Sequence, residues 1–142
     1  MKTIAALLLS SFALLVPNAH AYVDDAHSRA MEAATPAVKD GFQVRQEYHS
    51  GTLAVRQQAV VRQQFFKGNR YWLWLGSDDD SAKISVHIYD PNGNLADASA
   101  WQKRATAAVR VTPKLTGTYY AVITVESAKS KRVNWALAYG YK

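Results

Sequence analysis

Residues 65–94 read FFKGNRYWLWLGSDDDSAKISVHIYDPNGN, and residues 116–125 read TGTYYAVITV. Short apolar alternations are cut by Gly, Asp, Asn and Pro. That punctuation belongs to antiparallel strands joined by tight turns. Lys83–Tyr89 is the plainest case: Ile84, Val86 and Ile88 share one face, and Lys83, Ser85, His87 and Tyr89 the other. Asp90-Pro91-Asn92-Gly93-Asn94 then turns the chain. Tyr71–Leu75 (YWLWL) is apolar on both faces, as expected of a strand covered on both sides.

Working outward, Phe42–Tyr48 alternates and reads as a strand, with His49-Ser50-Gly51-Thr52 as the following turn. Ala59–Phe66 is the next strand, closed by the turn Lys67-Gly68-Asn69. Leu95–Trp101 and Ala107–Val111 are weaker strands, and Thr118–Glu126 is a strong one. In the last strand Val133, Trp135, Leu137, Tyr139 and Tyr141 share a face; Asn134, Ala136, Ala138 and Gly140 between them are all small. About eight strands at this spacing predict an all-β fold, an antiparallel β-sandwich or jelly-roll-like domain. Ahead of them, Asp24–Val38 predicts one short N-terminal α-helix. Alanines recur near helical spacing, Asp24 or Asp25 stands at the start, and Pro36 ends or bends it.

Lys2, the apolar run Ile4–Val16, the breakers Pro17-Asn18 and the small-residue site Ala19-His20-Ala21 read as a secretory signal peptide. The expected organisation is therefore a signal peptide over 1–21, a helical segment over 22–41 and one sandwich domain over 42–142. The apolar run is too short for a membrane span, and no second run follows. With no cysteine among 142 residues, neither disulfides nor a lipidated cysteine is available, which fits a bacterial periplasm or cell exterior. The formal charge of +6 falls to +5 with the signal segment, which holds one Lys and no acid. That mild, scattered excess reads first as solubility; the alternative is attraction to anionic cell-surface polymers or, less favoured, nucleic acid.

Catalytic signatures are missing. There is no Gly-x-Ser-x-Gly elbow, and His27, His49 and His87 lack zinc-ligand spacing. Three candidate surfaces remain. By alternation Trp72 and Trp74 share the face opposite Tyr71, Leu73 and Leu75; if that face is the outer one, the pair either stacks on sugar rings or a protein partner, or is covered by the helix or another strand's side chains. Trp101, with Lys103 and Arg104, is a loop aromatic for an anionic ligand or an edge anchor. Asp78-Asp79-Asp80 offers the hard oxygens that Ca²⁺ takes, without EF-hand spacing; the alternative is a solvated loop and no cofactor. Tyr119, after the Gly117-Thr118 turn, is placed to form a tyrosine corner.

Phe66-Lys67-Gly68-Asn69-Arg70-Tyr71, continued by Leu73, Leu75 and Gly76, resembles the first motif of bacterial pre-peptidase C-terminal (PPC) domains. Ile84–Asp90 with Asn92-Gly93 is similar to that family's central strand and turn. Val111-Thr112-Pro113 with Thr116–Tyr120 is similar to its closing motif. The likeness runs from Val60 to Tyr139 and implies a non-catalytic β-sandwich of the kind appended to exported enzymes, here standing alone. The family's Asp-x-Asp-Leu is only loosely echoed by Asp78-Asp79-Asp80 and Ile84. The expected function is an exported binding module for a glycan or an envelope or secreted protein. An accessory subunit of a secreted or envelope complex is the second reading, and a hydrolase with an unrecognised triad the third.

Overall fold

The computed structural model describes residues 21–142. The signal-peptide reading of 1–21 thus falls, except for Ala21, outside the described residues. Helix α1 spans Ala21–Lys39. Nine strands follow: β1 (Gln43–Val44), β2 (His49–Ala54), β3 (Gln58–Phe65), β4 (Tyr71–Ser77), β5 (Lys83–Tyr89), β6 (Ser99–Lys103), β7 (Thr106–Val111), β8 (Gly117–Ser127) and β9 (Arg132–Tyr141). The larger sheet runs β1-β9-β4-β7-β6, with β2 pairing β9 beyond β1; the smaller is β3-β8-β5. Every pairing is antiparallel. The fold is an all-β sandwich with one N-terminal helix.

Alternation sorts the side chains. Tyr71, Leu73 and Leu75 of β4 and Val133, Trp135 and Leu137 of β9 meet Ile84, Val86 and Ile88 of β5 and Ala121, Ile123 and Val125 of β8 in one core between the sheets. Burying these branched and aromatic side chains is the main driving force for folding a chain without disulfides. The turns are set by side chains that take up free backbone groups. Tyr71 Oη accepts from Phe66 N–H at 2.9 Å and Asn69 Nδ2 at 3.1 Å. Asp90 Oδ1 accepts from Asn92 and Asn94 N–H, both at 2.9 Å. Tyr119 donates to Leu115 O at 2.7 Å, forming the expected corner; burial raises its pKa, and the Leu115 bond opposes that shift.

A second, smaller core lies on the outer face of the larger sheet. Ala26, Ala30 and Ala34, one α1 turn apart, are fully buried. Ala30 and Ala34 pack on Trp74, Ala108 and Ala138. The alternating small residues of β9 are the bed for this helix. Cross-strand register puts Ala138, Trp74 and Ala108 side by side, and Ala136 beside Gly76.

Five features differ from expectation. The helix begins at Ala21, so Asp24 and Asp25 lie inside its first turns. It also runs three residues past Pro36. A proline near the end forfeits a single intrahelical bond, and the stop comes instead from a Schellman cap: Gly41 at φ +95°, Gly41 N–H to Val38 O and Phe42 N–H to Ala37 O, both 3.0 Å. The strand expected over Phe42–Tyr48 is only β1, and the turn expected at His49–Thr52 is strand β2. Gly51 marks close packing there, since a Cβ on it would stand 2.8 Å from the Trp135 ring. The weak strand Leu95–Trp101 is displaced to Ser99–Lys103. Residues before it cap the free edge of β5: Asp97 Oδ1 accepts from Ile88 N–H at 2.8 Å, and Ala96 N–H donates to Ile88 O at 2.8 Å. Such capping blunts an edge strand against further pairing.

Candidate ligand-binding groove

The helix leaves part of the sheet's outer face open toward β6. There a groove of about 690 Å³ runs between α1 and β6, lined by Arg29, Glu32, Trp101, Lys103 and Arg104 among others. It continues as a space of about 370 Å³ over Trp72, Arg70 and Arg110. Ala33, Pro36 and Trp101 line both parts, so the two form one channel.

Strand register assembles it. Trp101 on β6 is opposite Ala108, which is opposite Trp74; Arg110 on β7 is opposite Trp72. The Arg110 guanidinium sits 6.0 Å from the Trp72 ring centroid, a cation–π arrangement. Its Nε is buried without a hydrogen-bond partner among the described residues. Arg70, Lys103, Arg104 and Arg110 have no ion-pair partner among the described residues, and Glu32 is the one unpaired acid facing them. Arg29 is committed elsewhere: it donates to Ser77 O at 2.7 Å and pairs with Asp80, pinning the helix to the end of β4.

The rim is strained. Arg104 and Ala105, the two central residues of the β6–β7 hairpin, have φ of +33° and +57°. Asn-Gly is the usual occupant of such a turn. Holding two side-chain-bearing residues there costs roughly 1–2 kcal/mol each. The turn displays Arg104 at the groove mouth while Ala105 is buried against the loop, its N–H on Ala82 O at 3.1 Å.

The predicted candidates separate. Trp74 is 1% exposed beneath α1 and offers no stacking face. Trp72, stacked beside it with centroids 6.5 Å apart, is partly exposed in the channel. Trp101 is partly exposed and forms the outer wall. Arg110 was missed because only strand register brings it to Trp72; Arg70, two residues before Trp72, was within reach of simple alternation and was not singled out.

The Asp78-Asp79-Asp80 carboxylates diverge to separate partners. Asp78 accepts from Asn134 N–H at 3.0 Å and Nδ2 at 2.9 Å. Asp80 pairs with Arg29. Asp79 accepts from Ser81 Oγ at 2.6 Å, Ser81 N–H at 2.8 Å and Ser130 N–H at 3.2 Å. No three acidic or histidine side chains converge among the described residues. Chiefly through the Ser81 hydroxyl, with the Ser81 and Ser130 contacts adding to it and desolvation opposing, the Asp79 pKa is lowered from 3.8 to about 2. A lowered carboxylate pKa adds stability that is full above the unfolded value and lost as pH falls toward the folded one. Asp79→Asn should therefore cost about 1–2 kcal/mol at pH 7, discounted for partial exposure, and flatten the fall in melting temperature between pH 4.5 and 2. An unchanged acid limb in the variant would show that Asp79 does not anchor the loop.

The expected outward placement of His87 is observed. Its Nδ1 meets Asp97 Oδ2 at 2.7 Å, and the side chain is exposed. Ser85 lies on the same face but makes no hydrogen bond to His87 among the described residues. The chain matches no model of a known protein family and no curated protein.

Proposed function

We propose that this chain is a non-catalytic, exported recognition module that holds an anionic glycan in the channel beside α1. The carrying observation is the pairing of two accessible indoles, Trp72 and Trp101, with four cations free of ion pairs: Arg70, Lys103, Arg104 and Arg110. Aromatic faces take the C–H faces of sugar rings, and guanidinium forks take carboxylate or sulfate bidentately. The strained Arg104-Ala105 turn at the rim agrees with a binding site, where backbone strain concentrates. The signal-like residues 1–21 support export, and the motif likeness to PPC domains supports a binding rather than a catalytic role. The reading assigns no cofactor: the Asp78–Asp80 loop ties β4, β9 and α1 together. A second reading, an accessory subunit of an envelope complex, is favoured by β3, an eight-residue edge strand with exposed Val60.

Polygalacturonate should quench or shift intrinsic Trp emission, with affinity falling steeply as salt rises, while neutral dextran of the same length leaves it unchanged. Trp101→Ala should weaken polygalacturonate binding about tenfold or more, the range for losing a central aromatic contact. Equal response to dextran, or full affinity in Trp101→Ala, would sink the reading.

A further inference from the structure

The two sheets differ in width. Three strands, β3-β8-β5, face a sheet that is five strands across at its broadest, so the inner face of the larger sheet is not fully roofed on the β9 flank. Tyr139 and Tyr141 lie on that flank, on the core-facing side of β9 yet only partly buried. A cleft of about 380 Å³ opens there between the sheets, lined by Tyr139, Tyr141, Gln63, Gln64 and exposed Phe66. It joins a second space of about 290 Å³ along Gln43–Glu47, with Arg45 and Tyr141 lining both.

The chemistry of this cleft differs from that of the cationic channel. Arg45 is offset by Glu47 at 3.5 Å. The other polar groups are primary amides and phenols. Gln63 occupies an inward position on β3, between Val61 and Phe65, where a sandwich core normally places an apolar residue. Neither Gln63 nor Gln64 makes a side-chain hydrogen bond among the described residues, whereas Gln43 accepts from Tyr141 Oη at 3.0 Å. An amide presents a donor and an acceptor on neighbouring atoms, which matches a pair of adjacent hydroxyls. Tyrosine faces beside such amides suit a ligand with apolar C–H faces and many hydroxyls.

We infer that the Tyr139–Tyr141 cleft is a second binding site, for a neutral oligosaccharide. The inference rests on the cleft alone and stands apart from the channel reading. The near-balanced charge argues against an anionic ligand here, and the two tyrosine rings beside the amides supply the faces that sugar rings stack on.

Calorimetric titration of the protein with cellohexaose, xylohexaose and maltohexaose in turn tests it. At least one sugar should bind with Kd of about 0.1–1 mM. Tyr139→Ala should weaken that binding about tenfold or more. Trp101→Ala should leave it unchanged, so that failure here and failure of the channel reading are separable. Tyr139 also packs near Phe65, with centroids 6.5 Å apart. If Tyr139→Ala does not fold, the paired variant Gln63→Ala with Gln64→Ala decides, and it should weaken binding while keeping the wild-type melting temperature. The inference is overturned by no heat from any of the three sugars at about 10 mM. It is also overturned by full affinity in the paired glutamine variant, by loss of binding in Trp101→Ala, or by a proline-rich peptide entering the cleft in place of the sugars.

Discussion

Gly76→Ala should destabilise the protein by about 3 kcal/mol or more and lift α1 from the sheet. An added Cβ would stand 2.2 Å from Ala26 O and 2.6 Å from Ala30 N, both backbone atoms of the helix. A flexible side chain could swing away; a helix backbone moves only as a body. Relief therefore requires tilting α1, which breaks the Arg29 contacts to Ser77 and Asp80 and uncovers Trp74. Three readouts should move together: a lower denaturation midpoint, red-shifted Trp emission, and faster tryptic cleavage after Arg29. Gly68→Ala is the control. Gly68 has φ +99° with open space around it, so its alanine variant should cost about 1 kcal/mol from backbone strain and leave the emission unchanged. A Gly76→Ala protein within about 0.5 kcal/mol of wild type would mean that α1 is not held at backbone contact with β4.

That glycine shows what the sequence could and could not tell. Gly76 ends an apolar strand and precedes three aspartates, so locally it reads as the start of a loop. In the fold it lies within β4, and its reason is a helix some fifty positions away in sequence. Gly51 is the same kind of case: a turn residue by local chemistry, a contact residue by its neighbour Trp135. Where one strand's own alternation decides its placement, as in Lys83–Tyr89 and Arg132–Tyr141, the reading matched the strand. The small side chains along β9 were legible as small, but that they bed α1 was not. Where placement depends on pairing, the local pattern misled: residues 95–98 are apolar enough for a strand, but their backbone and Asp97 are spent capping β5. The candidate site divides in the same way. Trp101 with Lys103 and Arg104 is adjacent in sequence and was visible. Arg110 reaches Trp72 only through the β4–β7 register, and Gln63 comes to line one cleft with Tyr139 only through the packing of the two sheets.

Trp74→Ala should cost about 3–5 kcal/mol, the range for deleting a fully buried large aromatic side chain. The upper half of that range is expected. Its side chain is 1% exposed, and its neighbours in the outer core are Ala30, Ala34, Ala108 and Ala138. Alanines have no side-chain length with which to fill the space, so the void persists unless Trp72, stacked beside it, swings in or the helix itself sinks toward the sheet. Gly76 already sets the helix at backbone contact on one side, which leaves little room for that collapse. Trp101→Ala makes the comparison informative: that indole is partly exposed at a sheet edge, so its loss should cost at most about 1 kcal/mol while weakening ligand binding. The two tryptophans, on β4 and β6 with Ala108 of β7 between them, thus carry opposite burdens. Urea denaturation of both variants checks this, with polygalacturonate affinity measured on whatever folds. A Trp74→Ala protein that loses less than about 1 kcal/mol would show that α1 is only loosely applied to the sheet. The channel would then lack the rigid wall that positions Trp72 and Trp101 for a ligand, because one side of it is the helix.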